Sequence, residues 1–172
     1  MARTGTGEHI TIRHFQKTDY RVVSRIYSGT IREYLASLRK AGKDKELVRE
    51  RRSIMLTLPL GEFEYYSEVG CSFVALSREK VVGFVLAQPI RWLIEIPSSN
   101  HTLWLEYIAV TRAFRNQGVG SALLSSVKRW GVRQGIGCMF TTLNPNNEES
   151  RGLLCRAGFE VREWLTASYP PS

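Results

Sequence analysis

The run Arg115-Asn116-Gln117-Gly118-Val119-Gly120-Ser121 decides the reading of this chain. It lies between an apolar, strand-like stretch, Leu103 to Val110, and an amphipathic, helix-like one, Val119 to Trp130. Glycines at 118 and 120 permit a tight turn with no Cβ in front of the backbone. The helix entered there has N–H groups with no partner inside the helix and a partial positive charge at its end. With the Arg115 guanidinium beside it, the turn is a pocket suited to a pyrophosphate, and so to a nucleotide-bearing cofactor.

Downstream of this run, Val119, Ala122, Leu123, Val127 and Trp130 share one helical face, with Ser121, Ser125, Lys128 and Arg129 opposite. Ile136 to Leu143 reads as a strand. Asn144-Pro145-Asn146-Asn147 is a turn that can cap a short helix reaching Arg156, with Asn146 or Asn147 as the N-cap. Ala157-Gly158 ends that helix, and Phe159 to Ala167 reads as a last strand.

Upstream, His9 to Phe15 alternates as a strand does, and Thr18 or Asp19 can cap the helix that follows. Val23, Ile26, Tyr27, Ile31, Tyr34, Leu35 and Leu38 recur at helical spacing until Gly42. A second helix turns Leu47, Val48, Ile54, Met55 and Leu58 inward and stops before Pro59. Leu60 to Val69, rich in glutamate and aromatic residues, predicts a loop. Cys71 to Leu76 and Val81 to Gln88 predict an antiparallel hairpin across Ser77-Arg78-Glu79-Lys80, and Pro97 to Asn100 a further turn. The order is β-α-α-β-β-β-α-β-α-β, an α/β chain with a mixed sheet and helices on its faces.

With 172 residues, 43% of them hydrophobic, the chain can bury one core. We expect a single domain over residues 9–168 between flexible tails at 1–8 and 169–172. No apolar run approaches the ~20 residues of a membrane span, and the polar N-terminus lacks the core of a secretion signal. Cys71, Cys138 and Cys155 have no C-x-x-C spacing, which points to reduced thiols in a cytoplasmic protein and away from a disulfide framework or zinc site. His9, His14 and His101 are scattered, so no metal centre is expected. The net charge is +8, and seven basic residues crowd between Arg39 and Arg52 against three acidic ones, Asp44, Glu46 and Glu50. Such a surface can attract nucleic acid, an anionic cofactor or an acidic protein, or be a solvated helix face. No recognition-helix or RNA-binding signature accompanies it, so nucleic acid is not the expected partner.

Strand, R-x-x-G-x-G, helix, strand and short helix together resemble the GNAT superfamily of acyl-CoA-dependent N-acetyltransferases. Val110 stands five positions before Arg115, as in the family pattern. Leu143, Asn147, Ser150 and Leu153 follow the later spacing, with Ser150 where alanine is usual, and Arg156-Ala157-Gly158-Phe159 matches the ending before the last strand. The resemblance implies a mostly antiparallel mixed sheet with helices on both faces and acetyl-CoA as co-substrate, without a metal. It implies that backbone groups of Ile108 and Val110 pair with the pantetheine arm. Amides from Gln117 to Ser121, in the loop with Arg115 and Asn116, would hold the pyrophosphate, and Asn147 would hydrogen-bond the pantetheine. Pantetheine amides can indeed join an exposed strand edge as an extended peptide does. One position departs from the pattern: a tyrosine is frequent where this chain has Leu154, and leucine cannot protonate a leaving thiolate.

Amide formation needs a neutral amine, whereas a lysine-like amine, with a pKa of ~10.4, arrives protonated. A carboxylate beside the acetyl carbonyl can take that proton. Glu106 interrupts the apolar strand Leu103 to Val110, and alternation sets it on the face of Trp104, Ile108 and Val110. The alternative is a strand-end carboxylate paired with an arginine. The Val110 N–H would meet the tetrahedral intermediate. Asn147 can serve as N-cap, pantetheine contact or both. Tyr27 and Tyr34 read as core, Cys155 as a packed thiol, and Glu62 to Glu68 as a loop able to attract a cationic amine. The expected activity is transfer of an acetyl group from acetyl-CoA to a primary amine in a ternary complex. Two rivals remain, a non-catalytic acyl-CoA-binding module and a basic nucleic-acid-binding module. No motif specifies the acceptor, and a homodimer is compatible with the chain.

Overall fold

In the computed structural model, residues 2–3, 9–53, 60–90, 102–144 and 146–161 are described. The elements are β1 (Ala2–Arg3), β2 (His9–His14), α1 (Tyr20–Lys40), α2 (Asp44–Ser53), α3 (Leu60–Val69), β3 (Phe73–Ser77), β4 (Lys80–Ile90), β5 (Thr102–Val110), α4 (Val119–Arg133), β6 (Cys138–Phe140) and α5 (Glu148–Arg156). The chain divides into two compact units, Met1–Thr142 and Leu143–Ser172.

The first unit holds a six-stranded sheet in the order β1-β2-β3-β4-β5-β6. Every neighbouring pair is antiparallel except β5–β6, which is parallel. Helices cover both faces. On one, Val23, Ile26 and Tyr27 of α1 and Phe63 and Tyr66 of α3 pack with Val74, Leu76, Phe84, Leu86 and Ala109 of the sheet. On the other lies α4, whose Gly131 approaches the Leu103 side chain so closely that a Cβ would stand 2.8 Å from Cδ1. Val119, Leu123, Leu124 and Val127 are the buried apolar residues of α4; Ala122 and Trp130, expected on that face, are only half-buried.

Several expectations are corrected. Leu60–Val69 is a helix, because Phe63 and Tyr66, three residues apart, both bury in the core and packing overrides composition. Its exposed side carries Glu64, paired with Lys17 at 2.5 Å. Val48 is 53% exposed on α2 instead of turned inward. Asp19 occupies the N-cap of α1, yet its side chain makes no cap bond there. It accepts the Gln16 N–H at 2.9 Å and both terminal nitrogens of Arg13 at 2.7 and 2.8 Å, tying β2 to the helix entrance. The hairpin turn tightens to Arg78 and Glu79, both at positive φ, as a two-residue turn between twisted strands requires. Ala2 and Arg3, expected in a loose tail, pair with the edge of β2. The strand expected from Ile136 to Leu143 shrinks to Cys138–Phe140, since Thr141 turns its hydroxyl onto the Leu105 carbonyl and the ladder stops.

In the second unit, Asn147 caps α5 by accepting the Ser150 N–H at 3.1 Å. The helix ends as expected at Gly158, at φ 82°, with the Phe159 N–H on the Leu154 carbonyl. Phe159 to Val161 is irregular, and the rest of the expected last strand lies outside the described residues, as do Ile54, Met55, Leu58 and the Pro97 to Asn100 turn.

Candidate active site

β5 is the element around which the site is built. It pairs with β6 only over Thr102–Trp104. From Glu106 to Val110, among the described residues, no strand continues the ladder on that side. The register fixes which backbone groups face the gap. The Thr111 N–H donates to the Val82 carbonyl at 2.8 Å, so these two form a bonded pair across β4 and β5. In an antiparallel ladder the bonded and unbonded pairs alternate. Val110 opposite Gly83 and Ile108 opposite Val85 therefore turn their N–H and C=O groups away from β4, toward the open edge.

The ladder is also broken within β5. Leu86 pairs with Tyr107 and Ala87 with Leu105, so Glu106 is the extra residue of a β-bulge. The bulge reverses the facing of the strand. Leu103 lies against α4, whereas Tyr107 and Ala109 pack with α1, and the Tyr107 ring meets Tyr27 edge-on at 5.1 Å. Simple alternation therefore fails. Glu106 keeps the company of Trp104 but not of Ile108 and Val110, which turn to the opposite face. Its carboxylate accepts the Gln88 Nε2–H on Oε1 at 3.1 Å and the Trp104 indole N–H on Oε2 at 3.1 Å. The expected alternative of an arginine partner is not found: among the described residues Glu106 forms no ion pair.

Beyond Val110 a short 3-10 turn, Arg112–Phe114, leads to the glycine loop. Gly118 is the N-cap of α4 at φ 81°, a conformation costly for any residue with a Cβ, and a Cβ there would meet nothing within 4 Å. No side chain caps this helix. Its first amide with an intrahelical acceptor is that of Ala122, on the Gly118 carbonyl at 2.9 Å. The amides of Val119, Gly120 and Ser121 precede it at the positive end of the helix dipole.

The family model described as Acetyltransferase (GNAT) family matches residues 34–159, which include the bulged strand, the glycine loop and α5. The chain belongs to the GNAT acetyltransferase family. A relative, the aminoglycoside N(6')-acetyltransferase type 1 of Salmonella typhimurium, is 32% identical over 92 residues, 54% of this chain and 63% of that protein. The protein of the same name from Salmonella enteritidis matches equally. The chain thus spans less than two thirds of the curated relatives it matches. Among solved structures, the aminoglycoside N-acetyltransferase AAC(6')-Iy in complex with CoA has a TM-score of 0.69 at 23% identity, covering 96% of this chain and 97% of that one. The same enzyme with the bisubstrate analogue CoA-S-monomethyl-acetylneamine has a TM-score of 0.68 at 23% identity, covering 95% and 99%. These two likenesses are of fold.

Within this GNAT frame, the structure gathers Ile108, Val110 and Arg115 to Ser121 along one path, from the open edge of β5 to the mouth of α4. It directs Arg115 differently from the sequence expectation. Its Nε–H donates to the Val110 carbonyl at 3.0 Å and its Nη2 to Glu33 of α1 at 2.6 Å, so the guanidinium braces the strand end against the helix. Gln117 folds its side-chain amide onto the Ala113 carbonyl at 2.7 Å, leaving loop contacts to the backbone. Leu154, at the position of the frequent tyrosine, is buried. Three participants escaped the sequence reading: Glu33, Gln88 and Thr141. Only Gln88 left a trace there, as a polar residue in an apolar strand.

Proposed function

We propose that this protein is an acetyl-CoA-dependent N-acetyltransferase acting on a primary amine of an aminoglycoside by direct transfer in a ternary complex. The observation that carries the reading is the edge of β5 beyond Trp104, which no strand covers among the described residues, running from a bulged carboxylate to uncapped helix amides. Supporting it, the curated relatives are named for aminoglycoside N(6')-acetylation. The residues fit a nucleotide thioester. Outward-facing groups of Ile108, and the second lone pair of the Val110 carbonyl beside Arg115, would pair with pantetheine amides. The amides of Gln117 to Ser121 would receive the pyrophosphate, with Arg115 and Asn116 shaping the loop. In Asn147 the Oδ1 already caps α5, so its contact with pantetheine would be made by the Nδ2 donor.

Glu106 would take the proton of the incoming ammonium, directly or through water. As the amine nitrogen bonds to the thioester carbon, the Val110 N–H would donate to the developing oxyanion, and the carbon–sulfur bond then breaks. Since Leu154 cannot supply a proton, the thiolate leaves without a residue acid, as a thiol with a pKa near the ~8.5 of cysteine allows, and takes up the proton that the new amide nitrogen loses. Among the described residues no group of three or more metal-ligating side chains gathers, and no helix is long and apolar enough to cross a membrane. Free thiols at Cys71, Cys138 and Cys155 suit a cytoplasmic setting.

The buried Leu154 is also what a non-catalytic acyl-CoA-binding module would present, and one assay separates the two. Thiol release from acetyl-CoA is followed with aminoglycosides bearing a free 6'-amine, polyamines and peptides. Release with the aminoglycosides, strongly reduced but measurable in Glu106→Gln, is expected. Thermal stabilisation by acetyl-CoA without release under any acceptor would select the binding module. Absence of acyl-CoA binding would overturn both.

A further inference from the structure

We propose that Gln88 and Trp104 form a two-donor clamp that fixes the Glu106 carboxylate for the acceptor amine, making both positioning residues of the transfer. The inference rests on the reading of Glu106 as the base and adds what holds that base in place.

The clamp follows from the register. Gln88 of β4 lies directly across from Trp104 of β5. Two residues on, the bulge throws Glu106 out of step, and its side chain falls back toward this pair. Each carboxylate oxygen then receives one N–H, Oε1 from Gln88 and Oε2 from Trp104, both at 3.1 Å. The donors sit on different strands, so rotation of the carboxylate about its terminal torsion breaks at least one bond. All three side chains are half-buried, which strengthens such bonds relative to open water.

The chemical type of the donors matters as much as their geometry. A lysine or arginine partner would neutralise the carboxylate and compete with a cationic acceptor. An amide and an indole orient the carboxylate without cancelling its charge. An ionised carboxylate offers about four lone-pair sites; the clamp takes two, and no described residue takes the others, which suits an ammonium group.

The test uses Trp104→Phe and Gln88→Leu in the full chain, alone and combined with Glu106→Gln, with acetyl-CoA and an aminoglycoside bearing a free 6'-amine. Each single variant is expected to lower kcat by about tenfold, as loss of a bond to a charged group does, with KM for acetyl-CoA unchanged within about twofold. In the Glu106→Gln background, measured against its residual rate, neither substitution should lower kcat further. Should Trp104→Phe fail to fold, Gln88→Leu carries the same test. If Glu106→Gln abolishes turnover while both clamp variants keep it, the clamp is overturned and the base stands. If the losses persist undiminished in the Glu106→Gln background, the two residues are structural and the clamp is overturned. If Glu106→Gln itself leaves kcat intact, base and clamp fall together.

Discussion

Arg115 and Cys71 illustrate what a side chain's neighbours decide. Sequence alone identified Arg115 as a phosphate-directed cation at a helix mouth. The fold brings Glu33, distant in sequence, within 2.6 Å and turns the Val110 carbonyl toward Nε. The Glu33 acceptor comes from a segment 82 residues away that no local pattern aligns with Arg115. Cys155, expected to be the packed thiol, is exposed, and the packed one is Cys71. It is fully buried, donates to the Ala87 carbonyl, and burial pushes its thiol from the ordinary 9.0 up to about 12. A chromogenic disulfide reagent at pH 8 should therefore modify the exposed Cys155 and leave Cys71 untouched until the protein unfolds. The same shift sets a direction in pH. The folded state keeps the Cys71 proton where the unfolded state has lost it. This contribution to stability is complete below pH 9 and declines as pH rises from about 9 to about 12, by up to ~1.4 kcal/mol per unit. Denaturant titrations of Cys71→Ala against the parent across that range should show the difference narrowing.

At the scale of elements, the bulged ladder between β4 and β5 carries the site. The bulge against β5 presents Glu106, and the close approach of β4 and β5 beyond it holds Val110. Gly83 makes that approach feasible: a Cβ there would stand 3.0 Å from the Ala109 carbonyl oxygen and 3.2 Å from Val110 Cγ2. The carbonyl belongs to the backbone and cannot swing aside. Gly83→Ala should therefore cost about 1–3 kcal/mol, a fall in Tm of roughly 3–8 °C for a chain of this length. Displacement of Val110 should lower kcat as well, which calorimetry and the thiol-release assay can follow on one preparation. The long periodic helices α1 and α4 were legible because their apolar spacing repeats over several turns. α3 was not, for among its described side chains only Phe63 and Tyr66 bury in the core, and their burial depends on α1 and β3 being there. A bulge leaves no local mark at all, because Glu106 fits an alternating strand as well as a bulged one.

For the whole molecule, the relevant equilibrium is between chain and thioester. If the open edge of β5 and the mouth of α4 receive acetyl-CoA, saturation stabilises the folded state by mass action. At about one hundred times Kd the gain is ~2.7 kcal/mol, so Tm should rise by roughly 5–10 °C. A chelator should leave that rise unchanged, given that no metal-ligating cluster forms among the described residues. A rise that vanishes in chelator would require a metal site of another kind. The charge of +8 belongs to this scale too. It favours the approach of an anionic co-substrate from any direction but does not define where the co-substrate binds.

The amino-acid sequence by itself determined the family, the strand-loop-helix order around the glycine run, the span of α1 and the suspicion attached to Glu106. All of these are local, written in periodicity, glycine placement and short motifs. Only the tertiary structure decided the bulge that reverses β5, the pairing of Gln88 and Trp104 with Glu106, the bracing of Arg115 by Glu33 and the outward turn of Val110. Each depends on the register between strands or on the meeting of remote segments. Register is selected by the summed packing of both sheet faces, and no short stretch of sequence contains that sum.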